Sequence, residues 1–146
     1  MKIVIDSREQ KPYSFNGTET VAGALTTGDY SVNGLQDNIA IERKTIDDLI
    51  GCLSKGRDRF ERELFRGKSL DYFCLVVEAD LKDIVNHAYR SEMLPKSVIQ
   101  SLVAFSVRYK MPIWFCGNRQ YGQRITESLL VKYGREVEKT WKAINE

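Results

Sequence analysis

Residues 72–79, Tyr-Phe-Cys-Leu-Val-Val-Glu-Ala, place the tightest limit on what this chain can become. The run is nearly continuous in apolar and β-branched side chains, with no polar face, so a strand here must be covered on both sides. Met1 to Asp6 (MKIVID) is a second short buried strand, and Met111 to Cys116 (MPIWFC) a third, closed by Gly117-Asn118. The segments between them have helical periodicity. Thr45 suits an N-cap, with Asp48 at the third helical position, and Ile46, Leu49, Ile50 and Leu53 form one apolar face ending near Ser54. A second helix runs from Arg57 to about Arg66, turning Phe60, Leu64 and Phe65 inward, and Gly67 stops it. Asp80 caps a short helix to about Ala88, and Pro95 opens a longer one over 95–110 carrying Val98, Leu102, Phe105 and Tyr109. Residues 119–133 form an amphipathic helix that Gly134 interrupts. Beyond it Val137, Trp141 and Ile144 continue a stripe that either completes the core or forms a dimer surface. Residues 16–27, rich in small side chains, read as a loop with a brief helical or strand piece. Strands alternating with helices after an early hairpin give an α/β fold with a mixed central β-sheet flanked by α-helices.

The chain has 146 residues, enough for one domain with an ordinary core. No apolar run reaches spanning length and no signal peptide opens the sequence, so a cytoplasmic location, or a nuclear one in a eukaryote, is expected, with no membrane partner. Cys52, Cys74 and Cys116 are scattered and odd in number, which fits neither a disulfide framework nor a zinc site. His87 is the sole histidine, which removes His-based catalysis and leaves it a place on a helix surface or cap. A net charge of +2 is too small to indicate nucleic acid by itself. The segment 55–68 concentrates Lys55, Arg57, Arg59, Arg62, Arg66 and Lys68 against three acids. It reads either as a solvated helix with i,i+4 pairs or as a phosphate-contacting surface.

Chemistry gathers at residues 28–48, GDYSVNGLQDNIAIERKTIDD. Residues 28–32 and 39–44 alternate as two strands of a hairpin around the turn formers 33–38. With Val32 facing Ile39, Asp29 lies opposite Glu42 on the same face. Lys44, two residues on, shares that face. A two-residue turn at Asn33-Gly34 would instead set Asp29 against Asn38. The wider loop is preferred because it puts Ile39 and Ile41 on one face and Glu42 on the other. Two carboxylates that close repel unless a cation lies between them. Asp, Glu and Lys converging on one spot is the minimum kit for metal-assisted phosphodiester hydrolysis.

Gly28-Asp29, then Glu42-Arg43-Lys44, three residues and Asp48, resembles the signature of the XPF-type structure-specific endonucleases. That family includes the nuclease domain of the xeroderma pigmentosum group F protein and its archaeal relatives. Asp6-Ser7-Arg8-Glu9 is similar to the family's Asp-x-Arg-Glu after the first strand. Asp48-Leu49-Ile50-Gly51, Gly56-Arg57 and Val76-Val77-Glu78 also fall where the family has its helix, Gly-Arg turn and acid-terminated strand. A lone Glu-x-Lys would be a weak match; this ordered set spans nearly the whole chain.

The resemblance implies a restriction-endonuclease-like PD-(D/E)XK fold, magnesium or manganese dependence, and cleavage of branched or flapped DNA in repair, recombination or replication. By that likeness Asp29, Glu42 and the main-chain carbonyl of Arg43 hold the divalent ion, and Asp6 is a further carboxylate beside them. Lys44 orients the attacking water or stabilises the scissile phosphate. Arg8, Arg43 and Asp48 match positions needed for activity, and Lys55, Arg57 and Arg59 are assigned to DNA. The chain is expected to be a single nuclease domain over 1–146, without the helix-hairpin-helix module usually fused after it, and to form a homodimer or heterodimer. Three alternatives share the fold: a catalytically inactive DNA-binding or dimerisation subunit, a Holliday-junction resolvase, and an RNA nuclease. The inactive form should lack at least one of Asp29, Glu42 and Lys44, and all three are present.

Overall fold

The computed structural model describes residues 1–146. Its elements are β1 (Lys2–Asp6), β2 (Glu19–Gly23), β3 (Tyr30–Val32), β4 (Ile39–Lys44), α1 (Ile46–Leu53), α2 (Arg57–Gly67), β5 (Tyr72–Val77), α3 (Leu81–Val85), α4 (Pro95–Arg108), β6 (Ile113–Phe115) and α5 (Arg119–Asn145). The strands form one six-stranded sheet in the order β2-β1-β3-β4-β5-β6. β1 and β3 pair antiparallel, as do β3 and β4, while β2 joins β1 and β4-β5-β6 join one another in parallel. This is the mixed, helix-flanked α/β sheet expected from the alternation of elements.

The alternation along β4 explains the two layers. Ile39 and Ile41 enter one core with Tyr30, Val76 and Leu130, under α5. Ala40 enters the other with Leu49, Phe60, Leu75 and Phe105, under α1, α2 and α4. Glu42 and Lys44 share the parity of Ala40 and face α1 and α2; Arg43 shares the parity of the isoleucines and faces the α5 side. β5 is buried from Phe73 to Val77, as its unbroken apolar run requires.

Several expectations change. The brief piece within residues 16–27, left open as helix or strand, is an edge strand over 19–23 held by pairing with β1. Phe65 is 71% exposed. The inward face of α2 is Phe60, Leu64 and Gly67 at i, i+4 and i+7, and the helix ends at Gly67, where any Cβ would strike the Phe73 ring. β6 is an edge strand with Trp114 partly exposed, so its apolar sequence is not fully buried. Gly134 does not break the last helix, which runs unbroken for 27 residues. One interior glycine costs only about 1 kcal/mol relative to alanine. Trp141 and Ile144 are 64% and 77% exposed, so their stripe completes no core in this chain. His87 sits after α3 at φ 55°, its ring stacked on Tyr89. No helix is long and apolar enough to cross a membrane.

Candidate active site

The hairpin register decides the site. Tyr30 pairs with Ile41, and one step along the same antiparallel count sets Asp29 opposite Glu42. This is the wide-loop register, not the two-residue turn. Gly28 makes it possible: it adopts φ +83°, and a Cβ there would come within 2.7 Å of the Ala40 Cβ. The Asp29 N–H donates to the Ile41 carbonyl at 2.8 Å, and its Oδ2 accepts from the Arg43 N–H at 2.8 Å. Asp29 is therefore fixed to β4 at both ends.

Glu42 is 4% exposed, and Lys44 Nζ lies 3.1 Å from its Oε2. The lysine ammonium also sits over the Phe60 ring at 5.8 Å. Thr45 caps α1 by accepting from the Asp48 N–H, as expected, which leaves the Asp48 carboxylate exposed. Lys44, Asp48, Arg59 and Glu63 line an open cavity of about 450 Å³ between α1 and α2.

Asp6 lies next to this pair through the backbone, its N–H donating to the Asp29 carbonyl at 2.8 Å. Both of its oxygens are engaged. Arg8 Nε and Nη2 donate to them at 3.0 and 3.1 Å, and the Leu25 N–H donates at 2.9 Å. Burial alone would raise the Asp6 pKa, but these donors hold it below the ordinary value. Arg8 also donates to the Leu25 carbonyl at 2.6 Å, so Asp6 and Arg8 together tie the end of β1 to the approach to β3.

Arg43 faces away from the cavity. Its guanidinium donates to Glu78 at 2.8 and 3.3 Å, reaches Glu9 at 3.5 Å and stacks on Tyr13 at 5.3 Å. Tyr13 donates a short hydrogen bond to Glu78. Arg57 is likewise turned into the protein. It donates to the Leu53 carbonyl at 3.1 Å and to Ser101 Oγ at 2.9 Å, and lies 4.8 Å from the Phe105 ring. Lys55 and Arg59 are exposed.

The structure thus brings together Asp29, Glu42 and Lys44, sets Asp6 and Arg8 alongside, and places Arg43 and Arg57 in anchoring contacts. Sequence reading missed the place of Glu63, which lines the cavity with Lys44 from α2, and of Tyr13, which with the motif acids Glu9 and Glu78 surrounds Arg43. Glu9 and Glu78 carried a signal in the family motifs, without one for their partner Arg43; Glu63 and Tyr13 carried none.

No three His, Cys, Asp or Glu side chains gather to enclose a metal ion by themselves. The usable donor set is the pair Asp29 and Glu42. Magnesium needs only one or two carboxylates and keeps several waters, so the pair suits it.

The electrostatics fit the same reading. Burial pushes the Asp29 carboxyl up to about 6, against the pull of the Arg43 N–H. Burial also raises Glu42, the charges of Asp29 and Glu63 add to it, and Lys44 offsets only part. An acid whose folded pKa exceeds its unfolded value binds more protons when folded, so stability falls as pH rises through that window. For Asp29 the window runs from its ordinary 3.8 to about 6. In chelator, Asp29→Asn should therefore gain thermal stability relative to the parent chain as pH rises from about 4 to 6. Melting temperatures of the two proteins across that range check it; a constant difference would contradict the assignment.

The chain spans 97% of its own length and 69% of the matched chain in aligning with XPF from Aeropyrum pernix, at TM-score 0.75 and 21% identity. It aligns with XPF from Aeropyrum pernix in complex with DNA at TM-score 0.72 and 21% identity, covering 92% of this chain and 66% of that one. No curated protein matches it in sequence. The architecture is therefore the restriction-endonuclease-like fold of the XPF nuclease domain. Residues 5–129 match the ERCC4 domain model, and the chain belongs to the ERCC4 domain family.

Proposed function

We propose that this chain is a divalent-cation-dependent DNA endonuclease that hydrolyses phosphodiester bonds, with branched or flapped DNA as substrate. The observation that carries the reading is Asp29 facing Glu42 across the β3–β4 hairpin, with Lys44 3.1 Å from Glu42. Family membership and the similarity to a structure described as XPF in complex with DNA support it.

Asp29 and Glu42 would hold magnesium or manganese, and the Arg43 carbonyl is the third donor the family likeness suggests. When bound, the ion polarises the phosphate and lowers the pKa of its water. Burial works against the Lys44 charge, but Glu42, with Cys52 and Glu63 adding to it, holds the ammonium above its ordinary pKa, so it can hold the attacking water or a phosphate oxygen by charge. Asp6 and Arg8 hold the strand ends that aim Asp29. Asp48 borders the cavity and is free to meet substrate.

Labelled flap, fork, junction and linear duplex DNA, incubated with and without magnesium or manganese, test the reading. Cleavage only with the ion, and preferentially of branched forms, is expected. Cleavage in chelator, or none with either ion, would refute it.

For DNA contact, Arg59 and Lys55 are the exposed candidates. Arg59→Ala should weaken binding across sequences and lower the magnitude of the log–log salt slope by about 1. Arg57→Ala should instead destabilise the fold by about 1–3 kcal/mol, since it strips hydrogen bonds from buried Ser101 and the end of α1. Salt titrations and denaturant unfolding of both variants check this pair; the reverse pattern would move the DNA contact to Arg57.

A further inference from the structure

α2 carries a second acid into the site. Glu61 is held by Arg108 at 2.7 Å and by the Tyr109 hydroxyl at 2.8 Å. Glu63, two residues on, forms no ion pair; the one lysine of the site contacts Glu42. The Glu63 carbonyl accepts from Thr27 Oγ1 at 3.4 Å, which ties this turn of α2 to the segment leading into Asp29. Its half-buried carboxylate lines the cavity with Asp48, Arg59 and Lys44, whose ammonium is 3.1 Å from Glu42. Glu63 thus brings a further negative charge to the border of a site that holds a single ammonium. Added positive charge there would relieve the repulsion among the acids.

We propose that Glu63 is the third acid of the cation site, acting from α2 alongside Asp29 and Glu42 through the waters that an ion of this kind retains. The proposal rests on the cation-dependent reading above. An indirect role follows from the geometry, because no three acids close on one point. It also follows from Asp6, whose oxygens are already occupied by Arg8 and Leu25 and so leave the place of a third acid open.

Manganese binding to the full chain, followed by electron paramagnetic resonance of the free ion, tests it without reference to cleavage. Glu63→Gln should raise the manganese Kd about tenfold, the scale seen for residues that support metal ligands without touching the metal. Glu61→Gln should leave it unchanged. In chelator, Glu63→Gln should melt no lower than the parent chain, since it removes a like charge. A merely structural acid would give a lower melting temperature instead. Normal manganese affinity in Glu63→Gln, with weakened affinity in Glu42→Gln, would overturn the role of Glu63 alone. Normal affinity in both would overturn the cation site itself.

Discussion

Glu42→Gln and Lys44→Ala are each expected to abolish DNA cleavage while leaving DNA binding in place. Glu42 is nearly fully buried yet ionisable, and its only cation is Lys44 at 3.1 Å. Replacing it by glutamine keeps the shape and removes the charge that would hold the ion against Asp29. Removing one preorganised electrostatic group from a site of this kind costs roughly 100- to 1,000-fold in rate, and loss of an ion-holding carboxylate more. Lys44→Ala removes the positive charge that the pair aims into the cavity. Lys44 shares the cavity with Arg59, but Lys55 and Arg59 keep their exposed charges in both variants, so binding measured in chelator should persist. Cation-dependent cleavage retained by both variants would refute the assignment.

The largest effect on stability should come from Arg43→Ala. Arg43, Glu9 and Glu78 are only 11%, 9% and 7% exposed at their side chains, and the arginine bonds to both acids while stacking on Tyr13. Deleting the arginine leaves two buried carboxylates with hydroxyl donors but no paired cation, which costs about 3–5 kcal/mol when a buried pair is broken from one side. Denaturant unfolding at neutral pH measures it. A loss below about 1 kcal/mol would show that the network contributes as little as an exposed ion pair. Activity lost in this variant should be read with its stability, because the Arg43 side chain faces away from the cavity and its link to Asp29 is the backbone N–H.

The site's centre was legible because hairpin register follows from alternation. Ile39 and Ile41 had to enter a core, which forced Glu42 and Lys44 to the other face and Asp29 opposite Glu42. β2 was legible only as a brief piece, helical or strand, within 16–27: Glu19–Gly23 is an exposed edge strand whose conformation is fixed by pairing with β1 rather than by its own pattern. Glu63 was hidden for a related reason. In the run Arg-Phe-Glu-Arg-Glu, alternating charges read as a solvated helix face, and only the docking of α2 beside β4 turns one acid inward. Arg57 misled in the opposite sense. Its position in a basic stretch suggested phosphate, whereas Ser101 and Phe105, more than forty residues away, take its guanidinium. Phe65 failed by angle, since it falls outside the i, i+4, i+7 line of Phe60, Leu64 and Gly67 that packs on the sheet.

Anomalous diffraction from crystals of the chain soaked in manganese tests the central claim most directly. The account predicts a peak between the β3–β4 hairpin and α2, coordinated by the carboxylates of both Asp29 and Glu42. A strong peak elsewhere with none at this pair, or the two carboxylates turned away from each other, would contradict it.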